Sequence, residues 1–205
     1  DELAFQKRFA FGQLLLNGIT TAAPIASLFY REWGETVAEF EAAADAAGEL
    51  GLRVYLSPAF RSGGMVLEEP GRMVPVFDEE RGFQGLKDAI AYIERQNGRH
   101  GDLVRGMLAP DRVETSTLAL IQRTDAAARD LGCRFRLHMA QGSMEVETVR
   151  KLHGATAPIW LAKAGLLSDR LIAPHATNAT EEDLGLYAEN GVSIVHCPLV
   201  SGRGG

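Results

Sequence analysis

An α/β fold organised on a parallel sheet is predicted for this 205-residue chain by three observations. Short runs rich in Val, Ile and Leu recur six times, separated by longer segments of helical period. Each run carries Pro, Ser, His or Gln at or near its end, the residues of a loop. At 46% hydrophobic and 23% charged residues, the chain can fill one sizeable core. Parallel neighbours cannot be joined by a tight turn, so this alternation implies helical crossovers.

Residues 1–17 read as a helix leading into the first run, "GITTAAP" (18–24). The loop after it, "ASLFYREW" (26–33), gathers Leu28, Phe29, Tyr30 and Trp33; such a cluster could line a pocket, form a contact in a homo-oligomer or cover the end of the sheet. Thr36 with Glu39 forms a capping box for a helix whose buried stripe is Val37, Phe40, Ala44 and Ala47 and whose stop is Gly51. "LRVYLSPAF" (52–60) is the second strand. Phe83, Leu86, Ile90 and Ile93 make the inward stripe of the next helix, which ends before Gly98. "LVRGMLAP" (103–110), "FRLHMAQ" (135–141) and "RLIAPHA" (170–176) are the following strands. Thr180 and Asp183 cap a helix with Leu184 and Tyr187 facing inward and Gly191 ending it, and "VSIVHCPLV" (192–200) is the sixth strand. No internal repeat or low-complexity linker divides the chain, so residues 1–205 are expected to form one domain.

Composition excludes several functions. The formal net charge is -6, with Lys and Arg scattered among acids, so no basic field gathers phosphates and nucleic acid is not an expected partner. No apolar run approaches the roughly 20 residues of a membrane span, and "DELAFQKRF" lacks the regions of a signal peptide. A soluble, cytoplasmic protein is the expectation. The two cysteines, Cys133 and Cys197, are too far apart for a C-x-x-C motif, so a metal here would need His and carboxylate ligands.

Two architectures fit the alternation: an open doubly wound sheet or an eight-stranded barrel. The first usually carries a Gly-rich phosphate turn after its first strand, and neither G-x-G-x-x-G nor a P-loop is present. The barrel gains from His138, His175 and His196, each at or near the C-terminal end of a predicted strand, the rim where catalytic groups gather in such barrels. A single strand-end histidine is more often a hydrogen-bonded structural residue than a ligand, and the metal reading rests on several sharing one rim. His100 in "NGRHGD" and His153 in "RKLHGA" read as solvated. Arg136 shares strand parity with His138, so a buried His138 implies an inward guanidinium that needs a carboxylate or a local twist.

"FRLHMAQGSMEVE", "LIAPHATNATEEDLGLYAENGVSIVHCPL" and "LLLNGITTAAP" together resemble the amidohydrolase superfamily, in its branch of cytosine, guanine, triazine and thioadenosine deaminases and chlorohydrolases. The resemblance implies a metal-dependent (β/α)8 TIM-type barrel, of which this chain supplies strands 2 to 7. By the same carry-over His138 is a ligand to one divalent metal, zinc before iron, and His175 sits beside the metal-bound water or touches the substrate. Bound metal lowers the pKa of water to about 7, giving hydroxide that attacks a C–N or C–halogen bond of a small N-heterocyclic substrate.

Three departures from the family pattern shape the expectation. Gln141 stands where the family places a proton-shuttling Glu; an amide cannot shuttle protons at neutral pH but can hydrogen-bond a substrate carbonyl or ring nitrogen. In "APDRVETST", Asp111 replaces a substrate-facing His with Arg112 and Glu114 beside it, either as an acid–base group or as part of a surface ion pair; Asn178 replaces a second His. The first-strand His-x-His and eighth-strand Asp of the family are absent, so the chain is expected to be a piece of a longer polypeptide. A catalytically degraded barrel with a binding or structural role is the alternative.

Overall fold

The computed structural model describes residues 2–25 and 36–203; the cluster at 26–33 lies outside the described residues. Helix α1 (Glu2–Leu16) precedes β1 (Thr21–Ala22), and α2 (Val37–Leu50) leads to β2 (Arg53–Leu56). A hairpin, β3 (Gly63–Glu69) and β4 (Arg72–Phe77), comes before α3 (Glu79–Gln96), a single turn α4 (Arg99–Asp102) and β5 (Val104–Gly106). A 3-10 turn (Val113–Thr115) opens the way to α5 (Leu118–Asp130) and β6 (Phe135–Arg136). Then follow α6 (Ser143–His153), α7 (Ala157–Lys163), β7 (Leu171–Pro174), α8 (Glu181–Glu189), β8 (Ser193–Val195) and α9 (Pro198–Arg203).

All six expected strands are present, and their pairing follows chain order. β1 pairs with β2 and β2 with β5, in parallel, with Ala22 opposite Val54 and Val54 opposite Val104. β6 pairs with β7 and β7 with β8, also in parallel, with Arg136 opposite Ile172 and Ile172 opposite Ser193. A parallel bridge between Leu108 and Phe135 joins the two sets, with the Leu108 amide on the Arg134 carbonyl at 3.0 Å and the Arg136 amide on the Leu108 carbonyl at 2.9 Å. The order β1-β2-β5-β6-β7-β8 never reverses, so the sheet has no switch point of the doubly wound kind.

Helices cover the sheet through the residues their spacing selects. Val54, Leu56, Val104, Leu108, Phe135, Leu137, Leu171 and Ala173 are buried and meet Phe40, Ala43, Ala44 and Ala47 of α2, Leu86, Ala89, Tyr92 and Ile93 of α3, and Leu120 and Ile121 of α5. The alanine face of α2 lets that helix approach closely, and Tyr92 spans to it, its hydroxyl donating to the Phe40 carbonyl at 2.9 Å. Gly106 keeps β5 against α3: a Cβ there would lie 2.3 Å from Ile93 Cγ2. Both expected capping boxes form, Thr36 with Glu39 and Thr180 with Asp183, and Gly51 ends α2 in the left-handed conformation at φ 79°.

Several expectations are corrected. Leu184 is exposed; the inward face of α8 is set one residue earlier, by Asp183 and Tyr187 at i and i+4, because the Asp183 carboxylate both caps the helix and accepts from the Thr156 hydroxyl. The last strand stops at Val195, and Pro198 opens a helix, as proline suits a first helical turn. His153 is half-buried and stacks on Trp160 at 3.7 Å between ring centroids, whereas His100 is exposed as expected, its Nε2 3.3 Å from Asp45 Oδ1. The β3–β4 hairpin was not foreseen; its turn holds Pro70 and Gly71, the latter at φ 81°. Among the described residues no helix is long and apolar enough to cross a membrane.

Candidate active site

The polar residues singled out in the sequence meet at the C-terminal ends of β5, β6 and β7. Two parallel bridges beyond the strands, Arg112 with His138 and Met139 with His175, carry the three strand ends forward side by side. The backbone bends sharply there: Ala140, His175 and Ala176 have φ of 52°, 79° and 53°, a left-handed conformation uncommon for residues with a Cβ. His138 and His175 thereby face each other, with ring centroids 5.5 Å apart and planes tilted by 32°. His196, in contrast, is exposed beyond β8.

His138 is buried, and its Nδ1 lies 2.6 Å from the Asp111 carbonyl oxygen. A carbonyl only accepts, so Nδ1 carries the proton and Nε2 keeps its lone pair. Burial lowers its pKa to about 4, with the positive charges of Arg136 and Arg112 and the neighbouring His175 adding to the effect, so the ring is neutral at pH 7. His175 shifts in the same direction, through burial and then Arg112. Two neutral imidazoles, one anchored through Nδ1 by a backbone carbonyl, are suitable donors for a borderline metal such as zinc. Among the described residues no group of three or more His, Cys, Asp and Glu side chains is placed to hold a metal ion.

Asp111, Arg112 and Glu114 do not form a surface ion pair. Asp111 and Glu114 are 8% and 6% exposed, because the 3-10 turn is packed under the hairpin and against α6. Burial raises the Asp111 pKa against the opposing charges of Arg112, Arg61 and Arg136, and Arg61 Nη1 approaches its carboxylate at 3.7 Å. Burial also lifts Glu114 to about 7, despite its pairing with Arg112 at 3.3 Å; its second oxygen, Oε2, is buried without a hydrogen-bond partner among the described residues. The other arm of Arg112 donates to Gln141 Oε1.

Two residues to which the sequence assigned no role, Glu145 and Asn178, hold the loop. Glu145, in the first turn of α6, is buried and accepts from the amides of Ala140 at 3.0 Å and Gln141 at 2.6 Å. Its signal was present as an acid in the first turn of an amphipathic helix directly after the strand end. Asn178, noted as a replaced histidine, donates from its side-chain amide to the Gln141 carbonyl at 3.0 Å and from its backbone amide to the Ala140 carbonyl at 2.8 Å. Arg136 is buried, as its parity with His138 implied, and its Nη1 donates to the Ala23 and Pro24 carbonyls at 3.2 and 3.3 Å, past the end of β1. A cavity of about 440 Å³ bordered by Ala128, Cys133, Arg134 and Arg170 lies at the opposite end of β6 and β7, away from both histidines.

A parallel sheet wound in chain order, with its buried polar groups collected at the C-terminal strand ends, defines an α/β fold of the kind that carries enzyme sites at that end. Solved structures share it: a zinc-bound adenosine deaminase from Xanthomonas campestris matches with a TM-score of 0.73 and 23% identity over 95% of this chain and 39% of that one. A variant of atrazine chlorohydrolase from Arthrobacter aurescens, complexed with zinc and atraton, gives 0.76 and 24% over 98% and 44%. By sequence, 5-methylthioadenosine/S-adenosylhomocysteine deaminase 2 of Archaeoglobus fulgidus is 29% identical over 198 residues, 97% of this chain and 42% of its own length. No protein-family profile matches. The resemblance to the deaminase and chlorohydrolase branch of the amidohydrolase superfamily is thus borne out, and the chain is related to deaminases and hydrolases of that superfamily. It spans about two fifths of the length of the curated relatives it matches.

Proposed function

We propose that this chain is the strand 2 to strand 7 portion of a (β/α)8 barrel hydrolase that uses one divalent metal, zinc before iron, to hydrolyse a C–N or C–halogen bond of a small N-heterocyclic substrate in the cytoplasm. The observation that carries the reading is His138: buried, neutral, and anchored through Nδ1 on the Asp111 carbonyl so that Nε2 is left to coordinate. When bound, the metal supplies a water acidified to a pKa near 7 and hence a nucleophile at neutral pH. His138 would hold the metal through Nε2, together with ligands from outside the described residues. His175, with its ring 5.5 Å from that of His138, orients the nucleophile or hydrogen-bonds the substrate. Asp111 and Gln141 line the substrate side. The bent backbone at residues 140 and 175 sets these groups on the strand-end rim, an arrangement that supports preorganisation.

The test is elemental analysis of the full-length purified protein beside a His138→Ala variant. The expected result is close to one zinc or iron per chain in the native protein and loss of it in the variant with the fold retained by circular dichroism. A native protein without metal, or a variant that retains it, overturns the reading.

A further inference from the structure

Residues 140 and 141 are held on every backbone polar group. Both amides donate to the Glu145 carboxylate, and both carbonyls accept from Asn178, one from its backbone and one from its side chain. The Gln141 side chain is fixed as well, by the same Arg112 that pairs with Glu114. A guanidinium has donors and no acceptor, so the carboxamide can meet it only through its oxygen, and the planar amide then turns its NH2 away from Arg112. Arg112 bridges in parallel to His138, and Met139 to His175, so the Gln141 side chain that Arg112 holds belongs to the same strand-end cluster as the histidine pair.

We infer that Arg112 locks Gln141 as a hydrogen-bond donor beside His138 and His175, so that the site takes heterocycles with an acceptor nitrogen next to the reacting carbon and a leaving group that departs as an anion, such as halide or thiolate. The leaving-group half of this rests on the hydrolase reading above; the donor half does not. An amide neither gives nor takes a proton at neutral pH, and an amine must be protonated to depart whereas chloride or thiolate need not be. Among the nearby carboxylates, Glu145 is held on two amides, Asp111 faces Arg61, and Glu114 meets Arg112 through Oε1 with Oε2 unpartnered among the described residues. The reaction balances without a shuttle at residue 141. The oxygen of water forms the new C–O bond, the bond to the leaving atom breaks with its electron pair, one water proton stays on the product and the other passes to solvent. Substrate and water give hydroxylated heterocycle, anion and proton. The Gln141 NH2 donates to the ring nitrogen that gathers negative charge as oxygen adds, so its hydrogen bond strengthens along the reaction.

The experiment uses the full-length, metal-loaded protein and two probe pairs. In turnover, 6-chloropurine riboside is expected to exceed adenosine by at least about tenfold in kcat/KM, and Gln141→Glu to shift that ratio toward the amine by about tenfold or more. In binding, adenosine is expected to exceed 1-deazaadenosine, which lacks the ring nitrogen beside the reacting carbon, by about tenfold. That preference should fall toward parity in Gln141→Leu and in Arg112→Met, a change that a purely structural role for Arg112 would not produce. An amine turned over as well as the chloride, or a ratio unmoved by Gln141→Glu, overturns the leaving-group assignment. No ring-nitrogen preference overturns the donor assignment. If metal is bound and neither compound is turned over, the hydrolase reading and the leaving-group assignment fall together, and the binding pair decides the donor assignment separately.

Discussion

Replacing Glu114 with Gln should stabilise the protein, and increasingly so as pH rises. Burial lifts this carboxyl from 4.5 to about 7, while one of its oxygens meets Arg112 and the other meets no donor among the described residues. A carboxyl whose pKa is raised in the folded state binds more protons folded than unfolded between those two values. Its contribution is therefore fully present below 4.5 and is lost as pH rises through 7. Integrating the two titrations gives an ionisation cost to folding of about 1 kcal/mol at pH 5.5 and about 3 kcal/mol at pH 8.5. Glutamine has nearly the same shape and keeps an oxygen for Arg112 without ever ionising. The difference in unfolding free energy between Glu114→Gln and the native protein should thus grow in the variant's favour by about 2 kcal/mol between those pH values. Urea unfolding of both proteins at pH 5.5 and 8.5 measures it, and comparing them cancels the titration of groups not coupled to Glu114, such as His138. A difference that stays constant within about 0.5 kcal/mol would falsify the claim that Glu114 is a buried carboxyl held near neutrality.

Two further substitutions test the packing. Gly106→Ala puts a methyl 2.3 Å from Ile93 Cγ2 and should cost about 1–3 kcal/mol; an unchanged urea midpoint would mean that α3 does not rest on β5 as described. The two buried tyrosines should respond in opposite ways: Tyr92→Phe loses the bond to the Phe40 carbonyl and about 1 kcal/mol, while Tyr187→Phe removes a buried hydroxyl without a partner among the described residues and leaves thermal stability equal or higher. Equal losses in both would contradict the assigned hydrogen bonding.

The sheet was legible because Val54, Val104, Phe135 and Leu171 each sit in a short run rich in apolar residues that loop residues follow. The caps at Thr36 and Thr180 were legible for a similar reason, since their chemistry is local. The hairpin was overlooked because its strands are largely exposed and carry only a weak apolar pattern, although the Pro70–Gly71 pair marks its turn. What the sequence could not convey is partnership across strands. Asp111, with Arg112 and Glu114 beside it, read either as an acid–base group or as part of a surface ion pair, because nothing local shows that the hairpin and α6 close over them. Arg136 read as a charge in want of an acid because its two carbonyl acceptors come from residues more than a hundred positions earlier. Asn178 registered as a missing histidine, while its contacts make it a clamp on the loop that holds Gln141.

The unbroken strand order also bears on how the chain reaches this state. Apart from the hairpin, each strand pairs with the one made just before it, so a ribosome releasing the chain from its N-terminus delivers every strand when its partner is already available. The latest strand is always the adhesive one: at β8, Ile194 and Val195 remain 42% and 45% exposed. Assembly can advance from that edge without undoing any earlier pairing, and a translational pause just after β8 would leave its apolar edge exposed.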